Sequence, residues 1–274
     1  MKHAIGVGLF VGVAAVTLAF LALPIVGIYV HTSPEKLLDQ LSNPVVKDAF
    51  VVTLKTSLLA QAAILLFGTP TAYLLATRRF PGHSVAVTLV ELPLVLPPAV
   101  AGVGLLAALG RFGLLGSSLS ALGITLPFTQ TAVTVAVAYV ASPLYIRQAI
   151  ASFEATDPHL TAASRTLCAG PVRTFFRVVL PLARGGLIAG LALSFARGLG
   201  EFGATIMFAG SLQKVTQTLP LAIYAEFDQN FDATLAMSGV LILISALLLL
   251  TLRIGLSWQR SPSSTSPSFF GLSG

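Results

Sequence analysis

The sequence predicts an all-α polytopic membrane protein, with about six transmembrane helices and a polar two-helix hairpin on one side of the bilayer. Three observations carry that reading. The 274 residues are 55% hydrophobic and only 9% charged, with a mean hydropathy of +0.89, which soluble globular domains do not approach. Apolar runs near the ~20 residues needed to cross a hydrocarbon core recur along the chain. The cations, finally, are unevenly shared between the connections.

The spans follow in order. The first covers 4–30. Lys2 and His3 precede it as they would a secretory leader, but a run of about 25 residues exceeds the 7–15 of a leader's apolar region, so it is read as a span. The second covers 55–76 and ends against Arg78 and Arg79. The third, 85–110, contains Pro93, Pro97 and Pro98, and the fourth, 128–151, contains Pro143. Pro97 and Pro98 are expected to break their helix and leave backbone groups facing a cavity, since a proline lacks the donor a helix needs. The fifth and sixth spans cover 187–208 and 233–256. Together they make one membrane domain, residues 1–260, and the small, polar tail 261–274 is expected to be disordered. No internal repeat is evident, which weighs against an inverted-repeat secondary transporter.

Charge orients the bundle. With both termini and the second and fourth connections on one side, that side holds Lys2, Arg78, Arg79, Arg147, Arg165, Arg173, Arg177, Arg184, Arg253 and Arg260. The opposite side holds Lys36, Lys47, Lys55, Arg111 and Lys214, together with Glu35, Asp39, Asp48, Glu226, Asp228 and Asp232. The bias places both termini and the hairpin in the cytoplasm. The net charge of +6 is thus a topology signal, and no basic patch on a soluble face suggests nucleic acid.

The hairpin, 157–181, interrupts the apolar pattern between the fourth and fifth spans. Asp157 and Pro158 suit the cap and first position of one helix, 158–169. Gly170 and Pro171 end it and open a second, 171–179. There Val172, Phe175, Phe176 and Val179 fall on one face, with Arg173 and Arg177 on the other. Leu180 and Pro181 are expected to close the unit. Two short amphipathic helices on the positive side are suited to docking on a soluble partner.

Within the fifth span, Arg197 and Glu201 stand four residues apart, a spacing at which they can pair. A charge at mid-membrane is costly, so such residues face a bundle interior or an aqueous path. Gly186 and Gly190 form a GxxxG pair, and Gly198, Gly200 and Gly203 add small surfaces. These allow close helix packing, and packing against a symmetry mate is what a two-fold pore requires. Glu91, at the start of the third span, reads as an interfacial carboxylate.

Other chemistries are excluded or weak. The single cysteine, Cys168, allows no internal disulfide and reads as a small packed residue. The four histidines, at 3, 31, 83 and 159, have no metal-ligand spacing. No glycine loop followed by Lys-Ser/Thr is present, so nucleotide hydrolysis is not expected of this chain.

The hairpin resembles the EAA loop of ABC importer permeases, the element that seats in the ATPase subunit. That pattern runs Glu-Ala-Ala, three residues, Gly, nine residues, Ile-x-Leu-Pro. Aligned on Leu180 and Pro181, this chain supplies Ala162, Ala163 and Ser164, then Cys168, then Val178 to Pro181. The glutamate and the glycine are both replaced, while the spacing, Ala163 and the Leu-Pro end remain. Five segments in order, TPTAYLLATRRFPG, ELPLVLPPAVAGVGLLAALGRFGLLG, SRTLCAGPVRTFFRVVLPLARGGLIAG, ARGLGEFGATIMFAG and QTLPLAIY, together look like the molybdate permeases of ABC importers.

The resemblance implies a homodimer in the cytoplasmic membrane, a dimer of cytoplasmic ATPase subunits that bind the ATP and magnesium, and an extracytoplasmic binding protein delivering molybdate or tungstate. It implies no cofactor on this chain, and an ATPase-coupling surface at Ala162, Ala163, Ser164, Leu167, Cys168, Ala169, Gly170, Val172, Phe175, Leu180 and Pro181. A dianion in a low-dielectric path favours N–H groups, hydroxyls and small residues over carboxylates. Arg197, Gly200, Glu201, Gly203, Thr205, Pro97 and Pro98 are therefore candidates for the pathway or its gate, with helix packing as the competing role. Sulfate and thiosulfate permeases share the loop, so that anion class stays open. A stand-alone secondary anion transporter would use Glu201 for ion coupling but leave the hairpin without a purpose. A membrane-embedded enzyme would need a cluster of catalytic groups that the sequence does not offer.

Overall fold

The computed structural model describes residues 2–259 apart from 33–34, 36–38 and 41. The expected tail 261–274 lies outside them. The described residues are mainly helical, with no strand among them. Among the described residues five helices are long and apolar enough to cross a membrane, or six if one bent pair counts as a span.

The first helix, α1 (Lys2–His31), stands apart from the bundle: no residue of its apolar stretch Phe10–His31 is buried. Its one described side-chain tie to the rest is the Tyr29 hydroxyl, which donates to the Gly239 carbonyl at 2.8 Å. The next helix, α2 (Pro44–Ala63), starts well before the expected 55. Asn43 caps it by accepting from the Val45 N–H at 2.9 Å, and Pro44 occupies the first turn. Lys47 and Lys55 are tolerated because they lie on its exposed face, while Val46, Ala49, Val52, Thr56 and Ala60 turn inward. A π-helical segment, Ile64–Gly68, joins α2 without a break to α3 (Thr69–Thr77).

The third expected span is two helices. The first, α4 (His83–Val95), ends before Pro97, and α5 (Pro98–Leu109) departs from it at 119°. Consecutive prolines remove two donors and force the preceding residues into extended backbone, so the helix restarts in a new direction. A short helix α6 (Gly116–Ala121) precedes α7 (Gln130–Glu154), the central element, capped by the Thr129 hydroxyl accepting from the Ala132 N–H. Pro143 is accommodated inside it.

The hairpin differs from expectation at its far end. Helix α8 (Pro158–Thr166) is followed by α9 (Pro171–Thr174), a π-helical segment Phe175–Val179, and α10 (Leu180–Leu199). Leu180 and Pro181 therefore do not close the unit: one continuous helix runs from Pro171 to Leu199. The reason is local. A π turn stands immediately before Leu180-Pro181, as another stands before Thr69-Pro70, and a widened turn relieves the clash of the proline ring with the preceding carbonyl. The fifth span thus begins earlier than 187 and ends at Leu199, not 208. Beyond Gly200 the chain restarts as α11 (Gly203–Ala209), then α12 (Leu219–Glu226) and α13 (Phe231–Gln259).

Small residues determine the packing. Ala132, Ala136, Ala141 and Ala149 of α7 are completely buried, with Val133, Val137 and Val140 beside them. Against them α10 lays Gly186, Gly190, Ser194 and Gly198, a stripe at every fourth residue. A Cβ on Gly190 would stand 2.9 Å from Gln148 Cβ, one on Gly198 2.9 Å from Val137 Cγ1, and one on Gly186 would collide with Ser152. The GxxxG face is therefore occupied within the chain rather than by a symmetry mate. That correction follows from α7 presenting Ser152, Gln148 and Val137 to these glycines.

Candidate functional site

Two regions gather the predicted residues: the hairpin at one end of α10, and a junction of helix breaks at its other end.

In the hairpin, the Asp157 carboxylate accepts from the His159 N–H at 2.8 Å and caps α8. At the far end the Ala169 N–H bonds the Ser164 carbonyl (3.1 Å) and the Cys168 N–H bonds the Arg165 carbonyl (3.0 Å). This is a Schellman cap. It places Cys168 at φ +58°, the left-handed region that glycine occupies most readily. The cysteine thus stands where the loop pattern has glycine, in the conformation that glycine would suit.

The two arms are tied by Ser164 Oγ and Thr174 Oγ1, 3.0 Å apart. Phe175 anchors the hairpin to the bundle: its ring lies 4.8 Å from Tyr73, which in turn lies 5.5 Å from Phe153, both edge-to-face. Ala162, Ala163, Leu167, Cys168, Gly170, Val172 and Pro181 are exposed, whereas Ser164, Ala169, Phe175 and Leu180 are half-buried. The expected single apolar face divides. Val172 and Phe176 stay in the open with Leu160 and Leu167, while Phe175 and Val179 turn into the bundle. The π segment shifts the register within this face. Thr174, Tyr73 and Phe153 escaped the sequence reading, because nothing in local spacing reveals contacts between separate helices.

At the other end, the Arg197 guanidinium pairs with Glu201 at 2.8 Å. The Glu201 side chain is 1% exposed and that of Arg197 34%. The second carboxylate oxygen accepts from the Ala204 N–H at 2.8 Å, so Glu201 caps α11 as well as neutralising Arg197. Thr205, fully buried, donates to the Glu201 carbonyl at 3.2 Å.

The break between α10 and α11 meets the break between α4 and α5. A Cβ on Gly203 would lie 2.7 Å from Pro98 Cβ, and one on Gly102 would lie 2.6 Å from the Ala204 carbonyl oxygen. Pro98, Gly102, Gly203 and Glu201 thus converge on one contact, with α5 laid closely along α11. Pro97 and Gly200 are exposed at its edge. Thr205 does not reach an open space.

A buried polar contact crosses the bundle between these two regions. The Ser194 hydroxyl lies 2.8 Å from Gln61 Oε1. Above it α2 buries Thr53, Thr56 and Ser57, and Thr53 Oγ1 accepts from the Leu219 N–H at 2.7 Å. Elsewhere Glu91 pairs with Arg147 at 3.2 Å, linking α4 to α7. No group of three or more potential metal ligands occurs among the described residues.

Residues 64–258 match the family described as the binding-protein-dependent transport system inner membrane component. The chain is 37% identical over 233 residues to the molybdenum transport system permease protein ModB of Mycobacterium tuberculosis, covering 85% of this chain and 88% of that one. It is 43% identical over 177 residues to the protein of the same name from Escherichia coli, with 64% and 77% covered. The sulfate transport system permease protein CysT of Salmonella typhimurium is 35% identical over 215 residues, covering 78% of each. Among solved structures, a bacterial alginate ABC transporter in complex with alginate pentasaccharide-bound periplasmic protein has a chain that superimposes with a TM-score of 0.70. The identity there is 15%, with 94% of this chain and 95% of that one covered, a likeness of fold alone. With its exposed hairpin, its apolar helices and a match over most of its length, this chain belongs to the family of inner-membrane permease components of binding-protein-dependent ABC transport systems.

Proposed function

We propose that this chain is the membrane subunit of an importer that carries molybdate or tungstate into the cytoplasm. It acts as a homodimer, driven by two cytoplasmic ATPase subunits that bind ATP and magnesium, and is supplied by an extracytoplasmic binding protein. Residues 1–260 form its single membrane domain, and both termini and the hairpin face the cytoplasm, as the cation bias favours. The chain itself needs no cofactor.

One observation carries the mechanism. The helix Pro171–Leu199 is continuous, about 43 Å long at 1.5 Å per residue. One end of it carries the exposed coupling surface and the other the Arg197–Glu201 junction. A displacement of the hairpin by a closing ATPase is therefore delivered, without an intervening loop, to the place where α11 lies against α5. Separating those two short helices opens a path on the outer side, and their close glycine contact seals it. The burial of Glu201 supports a structural role, since a carboxylate pointing into the path would repel a dianion. Affinity belongs to the binding protein, and direction to nucleotide hydrolysis.

The anion class rests on identity with the molybdenum permeases. The 35% identity with a sulfate permease favours sulfate as the second reading. The test is ATP hydrolysis by the chain assembled in nanodiscs with its ATPase, after addition of binding protein loaded with molybdate, tungstate or sulfate. Stimulation by the molybdate- or tungstate-loaded protein alone is expected. Stimulation by sulfate-loaded protein alone would overturn the anion, and failure of any ATPase to associate would overturn the importer itself.

A further inference from the structure

A groove of about 820 Å³ opens on the outer face of the bundle, between the segment 65–78 and the arm that bears the coupling surface. Leu66 and Leu74 on one wall are exposed, as are Phe176 and Ile188 on the other. Of the hydroxyls that line it, those of Thr69 and Tyr145 bond each other at 2.6 Å and that of Thr77 donates to the Tyr73 carbonyl at 2.7 Å, which leaves the trough with a mainly apolar interior. Its hairpin end is different. Arg78 lines the groove there, and no carboxylate pairs with it among the described residues, although the adjacent Arg79 reaches Glu154 at 3.6 Å. Beyond the ridge of Val172 and Phe176 a shallow depression holds Arg173 and Arg177, likewise without a carboxylate among the described residues. An apolar trough of this size ending in the unpaired Arg78, with two further cations across the ridge, matches an amphiphile with apolar chains and an anionic head. A helix of a second copy would fill the trough but leave the cations unanswered.

We propose that this groove binds one anionic phospholipid of the inner leaflet, with its acyl chains between α3 and α10 and its phosphate on Arg78. Basic pockets between helices on the cytoplasmic side are suited to such headgroups. The site rests on the orientation given under Proposed function, in which the hairpin is cytoplasmic. One wall belongs to the segment 65–78 and the other to the arm that bears the coupling surface. Each wall includes residues of a π-helical turn, Leu65 and Leu66 on one side, Phe175 and Phe176 on the other. A lipid wedged there holds the arm at a set distance from the bundle.

The test is native mass spectrometry of the full-length protein released from mixed phosphatidylcholine and phosphatidylglycerol nanodiscs. The wild type should retain phosphatidylglycerol. Arg78→Gln should lower its retention about tenfold through loss of a charge-assisted phosphate contact, and Arg78→Lys should keep most of it. Ile188→Trp, which fills the trough and leaves Arg78 intact, should expel the lipid. Lys47→Gln, beside a separate groove lined by Phe50 and Leu243, should change nothing. Equal retention by wild type and Arg78→Gln would overturn the site. So would cross-linking of Leu66→Cys to a second copy in a Cys168→Ser background, which would assign the groove to the dimer. The measurement needs neither ATPase nor transported anion, so its failure is separable from failure of the importer reading.

Discussion

Removing the carboxylate of Glu201 tests whether it is a structural fastener or a working acid. In the Glu201→Ala variant the Arg197 guanidinium loses its 2.8 Å partner and the Ala204 N–H loses its acceptor. Stripping one member from a buried pair costs about 3–5 kcal/mol. Because a third of Arg197 reaches solvent, the lower end applies, near ~3 kcal/mol. Loss of the cap adds about 1 kcal/mol, which brings the alanine variant to roughly 4 kcal/mol. Glu201→Gln keeps an amide oxygen for Ala204 and should cost about 3 kcal/mol. The double variant Arg197→Met with Glu201→Gln removes both charges, and replacement of a buried pair by neutral residues is often near neutral. It should therefore recover to within about 1–2 kcal/mol of wild type. Equilibrium unfolding in mixed micelles gives these differences, and vesicle uptake gives activity. The single variant Arg197→Met completes the cycle, and if its loss and that of Glu201→Gln simply added in the double variant, the pair would not be coupled and the reasoning would fail. If Glu201→Gln abolished uptake with stability unchanged, Glu201 would be a coupling acid of the kind a secondary transporter uses.

Three further outcomes follow from particular contacts. Cys168→Gly should stabilise the hairpin by about 0.5–1 kcal/mol, because a left-handed conformation costs a side-chain-bearing residue ~1–2 kcal/mol and glycine's added chain entropy returns only part of that. A melting temperature no higher than wild type would refute this. Phe175→Ala should cost about 3 kcal/mol and uncouple the complex, with ATP hydrolysis persisting while uptake falls; unchanged uptake would remove the ring from the coupling path. Gly102→Val, whose Cβ would approach the Ala204 carbonyl oxygen to 2.6 Å, should prevent α5 from seating on α11 and lower the yield of folded protein. Normal yield and uptake would mean that the two helices are not held in this contact.

Much of this protein is local and therefore legible in its sequence. Helix existence follows from apolar length, and the break at Pro97-Pro98 from the missing donors of proline. The hairpin's start follows from Asp157-Pro158, and the pairing of Arg197 with Glu201 from their spacing of four. What the sequence could not determine depends on which surfaces meet. Pro181 looks like a helix end but is absorbed by a π turn, as is Pro70 within the second span, because bundle packing holds the helix together on both sides of each. The glycines at 186, 190 and 198 could have faced a second copy, yet Ser152, Gln148 and Val137 of α7 fill the space over them. Glu201, a costly charge by sequence alone, proves to be the cap of a helix that exists only because the chain breaks at Gly200 and restarts at Gly203 against Pro98. Periodicity and capping are encoded within a few residues, whereas close packing and the satisfaction of buried charge are properties of pairs far apart in the chain, which only the tertiary structure brings together.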